Sequence, residues 1–331
     1  MEQLCVRVAK KSGELARRAL IELGLIDHSA RIDSDDNYLY LPLLEELPAY
    51  HIVALPADAR VMEHEFCQQE KQLKLEDVLG FAPHYEVVGT IAIIEADEPQ
   101  AERIAQALID LHPHIRTVLG AMSAVKGEFR TRQFRVLAGE DRTETLHKDH
   151  GCRYVVDLAR AYFTPRLSTE RQRIVAQLES DSMVVDMFAG VGPYTIPAAR
   201  KCRHVIAIDK NPDAIRFLRI NVDINSVENV EVIEGDANDV ARDNKGVADH
   251  VIMNLPHSAH EFLDAAITMT GPDGVIHYYA MTSEDDLFNS SVKLICEAAR
   301  RVGRTIQVLD TRTVRSYAPH QYNVCIDVRI D

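Results

Sequence analysis

Apolar positions change their spacing several times along this chain of 331 residues. Over about residues 1–65, QLCVRV and NYLYLPL alternate apolar and polar positions, the period of a half-buried strand. Between them, SGELARRALIELGL repeats its apolar residues at helical spacing. Ser12 stands where a helix N-cap belongs and marks the start of that helix. MEHEFCQQEKQLKLED is polar and mixed in charge, and reads as a linker or an exposed helix. Over about 83–165, the strand-like EVVGTIAII and RYVVDLA flank a helical EPQAERIAQALIDLH. From about 166 onward, MVVDMF, HVIAID, VEVIEGD, DHVIMNL, GVIHYYA, TIQVLD and YNVCIDVRI read as strands, with helical stretches such as PDAIRFLRINVDI and LFNSSVKLICEAARRVG among them. Alternation of this kind predicts a mostly parallel sheet covered by helices on both faces. The last two strands have no helix between them and should pair antiparallel at one edge. The expected architecture is therefore α/β: a Rossmann-like domain over 166–331 with a mostly parallel seven-stranded sheet and an antiparallel edge. Two smaller α+β domains, 1–65 and 83–165, precede it, with a linker over 66–82.

Composition narrows the class. With 46% hydrophobic and 27% charged residues the chain reads as globular. No apolar run approaches the roughly 18 residues that cross a bilayer. The N-terminus lacks the basic-then-apolar order of a signal peptide, so the expected location is the cytoplasm. Six cysteines (Cys5, Cys67, Cys152, Cys202, Cys296 and Cys325) stand singly, a scatter that argues against a metal site or a disulfide framework. The net charge of −14 counts against a polyanionic partner until local clusters are considered. Lys126, Arg130, Arg132 and Arg135 crowd KGEFRTRQFR; further basic residues lie between Arg160 and Arg173, and Lys10, Lys11, Arg17 and Arg18 lie near the start.

The stretch VVDMFAGVGPYTIPAAR, from Val184 to Arg200, is a strand that breaks at Gly190 and Gly192 and turns into a helix near Pro193, a residue favoured at a helix's first position. A dinucleotide fingerprint would place a third glycine where Thr195 stands. That glycine serves packing around a pyrophosphate, so its absence weakens a dehydrogenase reading. Acidic residues fall on three consecutive strands: Asp186 on the first, Asp209 closing HVIAID, and Asp236 after VEVIEG. A ribose, an adenine amino group and a positive charge, without phosphate, would suit three such carboxylates; S-adenosylmethionine has these features. Capping of the following helices is the plainer alternative for any one of them.

On the acceptor side, the fourth strand ends in Asn254-Leu255-Pro256, which resembles the N-P-P-type turn of methyltransferases acting on planar nitrogens. An Asn carbonyl can accept the N–H bonds of such a nitrogen while proline stiffens the turn. His257 and His260 lack a nearby third ligand and read as ordinary surface histidines. Arg166 and Glu170 are four residues apart in YFTPRLSTER. Methylation at N1 of guanine needs a base for the ring proton and a cation beside O6. Glu170 and an arginine would supply both, and a surface ion pair between Arg166 and Glu170 stands equally open.

Together, KGEFRTRQFRVLAGEDRTETLHKDHG, YFTPRLSTER, DMFAGVGPYTIP, VIMNLPHSAHEFLDAA, GVIHYYA and VRSYAPHQYNVCID resemble the archaeal and eukaryotic tRNA (guanine-37-N1)-methyltransferases across essentially the whole chain. The resemblance implies a class I methyltransferase domain, S-adenosylmethionine as cofactor, and tRNA held at its outer corner and anticodon stem-loop, with no protein partner required. It implies Glu170 as general base, Arg130 beside O6, and Tyr162, Asn254 and Pro256 around the target base. It implies Arg166, Asp186, Phe188, Gly190, Gly192, Asp209, Asn211, Asp236, Ala237 and Asn254 around the cofactor, and no metal. Tyr194 stands where the family commonly has Phe, and HKDHG where HKENG is usual. The related aminocarboxypropyltransferases of wyosine synthesis lack the N-L-P turn, and a non-catalytic RNA-binding relative would have lost Glu170 or a cofactor carboxylate.

Overall fold

The computed structural model describes residues 2–48, 50–67, 73–123, 127 and 129–331, and divides into two compact units, Met1–Lys74 and Leu75–Asp331. In the first unit, strands β1 (Glu2–Ala9), β2 (Asp33–Ser34), β3 (Tyr38–Pro42) and β4 (Arg60–Glu65) form an antiparallel sheet in the order β2-β3-β1-β4. Helix α1 (Gly13–Glu22) buries Ala16 and Leu20 in a core with Val6, Val8, Leu25 and Leu41. Ser12 does occupy its N-cap position, but its side chain makes no capping hydrogen bond, and a short 3-10 turn, Lys10–Ser12, precedes it. The polar RVMEHE, of which MEHE was read as linker, is strand β4. Its pairing with β1 supplies the hydrogen bonds that its weak hydrophobic pattern did not announce.

In the second unit, helix α2 (Leu75–Leu79) lies within the expected linker 66–82, of which 68–72 fall outside the described residues. It packs Leu75 and Leu79 into one core with Ile104 and Leu108 of α3 (Ala101–Leu111). EVVGTIAII is a hairpin, not one strand: β5 (Glu86–Val88) and β6 (Ile91–Glu95) are joined through Gly89 at φ 58°. A Cβ there would sit 2.3 Å from Thr145 Oγ1, so the turn needs glycine. With β7 (Thr117–Ala121) and β8 (Phe134–Gly139) they make a four-stranded sheet. Strands β9 (Glu144–Asp149) and β10 (Cys152–Asp157) form a separate hairpin.

The large sheet contains β11 (Met183–Asp186), β12 (His204–Asp209), β13 (Val230–Glu234), β14 (Ala248–Met253), β15 (Thr270–Ser283), β16 (Ile306–Ala318) and β17 (Gln321–Ile330). Their order is β13-β12-β11-β14-β15-β17-β16, parallel through β15, with β17 antiparallel to both neighbours. Helices α4 (Ser168–Gln177), α5 (Thr195–Ala199), α6 (Pro212–Ile224), α7 (Ala237–Val240), α8 (Leu263–Met269) and α9 (Asn289–Arg301) accompany it. Two apolar clusters are built on the sheet. One runs from Val88, Ile91 and Leu119 through Tyr154 and Val156 to Ile174, Val184 and Leu218, so the stretches 83–165 and 166–331 share a core. Asn221 of α6 and Asn225, its C-cap, fasten the β10 backbone at Val155 and Arg153. Among the described residues, no helix is long and apolar enough to cross a membrane.

Candidate active site

The carboxyl ends of β11, β12, β13 and β14 surround a cavity of about 670 Å³, within the roughly 300–1,000 Å³ usual for small-molecule sites. Strand order reverses here, β12 lying on one side of β11 and β14 on the other; open α/β sheets bind ligands at such a switch point.

Gly190 (φ 54°) and Gly192 (φ 92°) both adopt backbone conformations that suit glycine, for different reasons. A Cβ on Gly190 would have its nearest neighbour, the Tyr162 carbonyl oxygen, 3.8 Å away, so this residue keeps open backbone on the cavity wall. A Cβ on Gly192 would come within 2.7 Å of Leu218 Cδ1; this glycine seats the turn against α6, behind the wall.

The three carboxylates part company. Asp209 lines the cavity, accepting the Gly190 N–H at Oδ2 (2.6 Å) and the Asn211 N–H at Oδ1 (2.8 Å), and burial pushes its carboxyl up. Asp236 also lines it. Oδ1 caps α7 by accepting the Asn238 N–H (2.9 Å), and Oδ2 lies 3.6 Å from Lys210 Nζ, so capping and lining coexist. Asp186, expected against a cation, is 1% exposed and lies behind the wall. Its Oδ2 accepts the Thr195 hydroxyl (2.8 Å), its Oδ1 has no partner among the described residues, and burial lifts its carboxyl from 3.8 to about 7. It braces the far end of the glycine turn from beneath. Asn211 reaches the wall, but its side chain is committed to capping α6 at the Asp213 N–H (3.0 Å) and donating to the Arg160 carbonyl (2.8 Å). Ala237 and Phe188 line the wall, the Phe188 ring meeting Phe262 edge-on with centroids 5.0 Å apart.

Sequence reading missed Phe262 and Asn323. Nothing in HSAHEFLDAA distinguishes one phenylalanine as a wall, and Asn323 lies inside an apolar strand. Asn323 Oδ1, buried on the wall, has no hydrogen-bond partner among the described residues and is available to a ligand. Two acceptor carboxylates at strand ends, an aromatic edge and open backbone at Gly190 fit the nucleoside of S-adenosylmethionine, while Asn323, paired with Met281 two strands beyond β14, lies on the other side of the cavity.

On the opposite wall, Asn254, Leu255 and Pro256 form a turn fixed by Leu255 N–H to the Met253 carbonyl (3.0 Å), Ala259 N–H to the Leu255 carbonyl (2.8 Å) and Met281 N–H to the Pro256 carbonyl (2.9 Å). The Asn254 amide makes no hydrogen bond among the described residues. Tyr162 lines the same cavity with the Arg130 guanidinium 4.9 Å above its ring. His257 lines it too, its imidazole pushed down by burial and by Arg130, and no cluster of three or more metal-ligating side chains occurs among the described residues.

Two further expected residues do not line the cavity: Arg166 is exposed at the surface and Glu170 is buried. Arg166 pairs with Glu86 at 3.2 Å rather than with Glu170. It sits on a 3-10 turn, Pro165–Leu167, whose tighter winding puts it out of phase with Glu170 on α4. Glu170 is 6% exposed; Arg173 Nη2 donates to Oε1 at 2.7 Å and Arg173 Nε lies 3.1 Å from Oε2, while the Tyr279 hydroxyl donates to Oε1 at 2.7 Å.

Several of the clustered cations are likewise internal or paired. Lys126 lies outside the described residues. Arg132 pairs with Glu95 and Arg135 with Glu102, each at 3.1 Å, while Arg17 and Arg18 share Glu14. Arg171 is buried against Asp149 (2.7 Å), and Arg173 bridges Glu170 and Asp327.

A sheet in which glycine-turn, carboxylate-bearing and N-L-P strands lie side by side, around a nucleoside-sized cavity, defines a class I S-adenosylmethionine-dependent methyltransferase. Residues 145–309 match the TRM5/TYW2 methyltransferase domain, 5–51 the tRNA methyltransferase 5 N-terminal domain and 70–143 the TYW2 N-terminal domain. The chain is 39% identical over 331 residues to the tRNA (guanine(37)-N(1))-methyltransferase Trm5b of Pyrococcus abyssi, with 99% of each covered. It matches the complex structure of aTrm5 and tRNALeu at 34% identity and a TM-score of 0.71, covering 99% of this chain and 100% of that one. Methanocaldococcus jannaschii Trm5 in complex with adenosine matches at 34% identity and a TM-score of 0.65, with 99% of both covered. The chain belongs to the TRM5/TYW2 methyltransferase family.

Proposed function

We propose that this protein transfers a methyl group from S-adenosylmethionine to N1 of guanosine 37 in tRNA, next to the anticodon. The observation that carries the reading is one cavity with a nucleoside-binding wall at Asp209, Asp236 and Gly190, faced by the Asn254–Pro256 turn and the Arg130–Tyr162 pair. S-adenosylmethionine, when bound, supplies a methyl group on a cationic sulfur. This chain's residues orient and deprotonate the acceptor. Asn254 accepts N–H bonds from a base flipped into the cavity, and the Tyr162 ring offers it a stacking face. Arg130 offsets charge that builds on O6 as the N1 proton leaves for Glu170.

In this reading residues 1–65 contact the outer corner of the tRNA, 66–82 connect, 83–165 hold the anticodon stem-loop and 166–331 carry the chemistry. Lys10, Lys11 and the exposed Arg160, which also lies 3.4 Å from Asp157 and from Asp213, supply cations for the phosphates, and the cytoplasm is where such a substrate is found.

The test is incubation with labelled S-adenosylmethionine and unmodified tRNA transcripts bearing G or A at position 37, followed by mapping of the labelled nucleoside. Label confined to N1 of G37 is expected. Label on the A37 transcript, at another position, or as an aminocarboxypropyl group would overturn the reading.

A further inference from the structure

On the side of β15, β17 and β16, the cavity is rimmed by polar groups that the chemistry above does not use. Strand β16 breaks its register against β17 twice, between Thr313 and Arg315 and between Ser316 and Ala318. Such bulges re-aim side chains and are common beside active sites. Here they bring Arg315 and Tyr317 to the cavity, together with Met281 and Asn323 of the neighbouring strands. We propose that this rim is a subsite for the nucleotide flanking the target guanosine: the Tyr317 ring stacks its base, and the Arg315 guanidinium holds the phosphate between the two nucleotides. The inference rests on the methyl-transfer reading above.

Each part has capacity to spare. Tyr317 is half-exposed, and its ring meets His257 edge-on with centroids 5.8 Å apart. The contact holds the ring beside the Asn254–Pro256 turn and leaves much of its surface to a planar partner. Arg315 makes no hydrogen bond or ion pair among the described residues, and its Nε is buried without an acceptor. Nearby arginines are spent on carboxylates: Arg312 of the same strand lies 3.8 Å from Glu170, and Arg173 bridges Glu170 and Asp327. In a chain of net charge −14, a guanidinium left without a carboxylate on the cavity wall suits a phosphate.

Asn323 stands directly opposite Arg315 in register. Its strand is paired on both sides, by β15 and β16, so Asn323 meets the cavity through its side chain. It is 4% exposed and its Oδ1 lacks a donor among the described residues; a ribose hydroxyl is the donor that a nucleotide brings. Turning a base into the cavity also costs its neighbours a stacking partner. An open ring at the rim replaces one such stack, and a cation on the same strand takes the backbone charge beside it.

The experiment measures equilibrium binding of the wild type, Tyr317→Ala, Tyr317→Phe and Arg315→Ala to full tRNAs ligated from synthetic halves. One RNA is intact with G37, one lacks the base at position 36 and one lacks it at 38. Calorimetric binding of S-adenosylhomocysteine checks that each variant keeps its cofactor site. On intact RNA, Tyr317→Ala should bind roughly 5- to 150-fold more weakly, the worth of one base stacked on an aromatic ring, and Tyr317→Phe should bind as the wild type does. Removing the base at one of the two positions should weaken the wild type by the same factor and leave Tyr317→Ala unaffected. Arg315→Ala should make the log–log salt dependence shallower by about 0.7, the share of one single-stranded phosphate. A Tyr317→Ala loss that is equal on all three RNAs, that Tyr317→Phe shares, or that comes with lost S-adenosylhomocysteine binding would show a packing role and overturn the subsite. An unchanged salt slope in Arg315→Ala would overturn it as well. Binding involves no methyl transfer, so these failures are distinct from a wild type that binds the intact RNA and leaves N1 of G37 unlabelled, which would overturn the methyl-transfer reading itself.

Discussion

Replacing Asp186 with Asn should change how stability depends on pH more than it changes stability itself. The wild-type carboxyl is 1% exposed, has one oxygen bonded to the Thr195 hydroxyl and the other without a partner among the described residues. Burial, reinforced by the negative charge of Asp209, lifts its pKa from 3.8 to about 7. The folded state therefore keeps a proton that the unfolded chain has released, and the wild type loses stability as pH rises from about 4 to about 7, then stays level. At 1.36 kcal/mol per pH unit that interval corresponds to about 4 kcal/mol. The Asn variant can still accept from Thr195 and has no proton to lose. Its amide N–H, facing the unpartnered position, costs about 1–3 kcal/mol at every pH. Urea denaturation at pH 4.5, 6 and 8 should show the variant weaker than wild type at the acid end and gaining on it by several kcal/mol at the alkaline end. His250, held down to about 4 by burial, and Asp327, held low by His277 and Arg173, titrate in both proteins and cancel in the difference. Parallel stability curves for the two proteins would refute the assignment of a buried, protonated Asp186.

Gly192→Ala should destabilise the fold by about 1–3 kcal/mol in the same denaturation assay, since its φ of 92° and the 2.7 Å approach to Leu218 both penalise a Cβ. Adding Leu218→Ala should not restore stability, because the backbone term remains; full recovery would mean that φ strain contributes nothing. Affinity for tRNA, followed by filter binding against salt, should fall with a log–log slope near −0.7 to −0.9 per neutralised phosphate. Arg160→Ala should make that slope shallower, whereas at the internal Arg171 a change in stability should come first; a salt-independent affinity would show that the exposed cations are ordinary solvated side chains.

The sequence by itself determined whatever is written in short-range spacing. PDAIRFLRINVDI became α6 over Pro212–Ile224, capped by Asn211, because a cap, a proline at the first position and an apolar stripe all act within a few residues. The glycine turn, the strand-end carboxylates and the N-L-P turn were legible for the same reason, and the absence of a helix between the last two strands foretold their antiparallel edge. Tertiary structure decided where the side chains face and what they meet. EVVGTIAII bends into a hairpin at Gly89 because Thr145, 56 residues later, lies against it. RVMEHE is a strand only because β1 offers it an edge. Spacing brought Arg166 and Glu170 together in the sequence reading, but a 3-10 turn separates them, and Glu170 instead meets Arg173, Tyr279 and, through Arg173, Asp327. Arginines 171 and 173 count as surface charge in a sequence, yet each is consumed by a carboxylate distant in the chain. Burial removes water from a charged group, and a distant partner must replace it; local pattern records neither the loss nor the replacement.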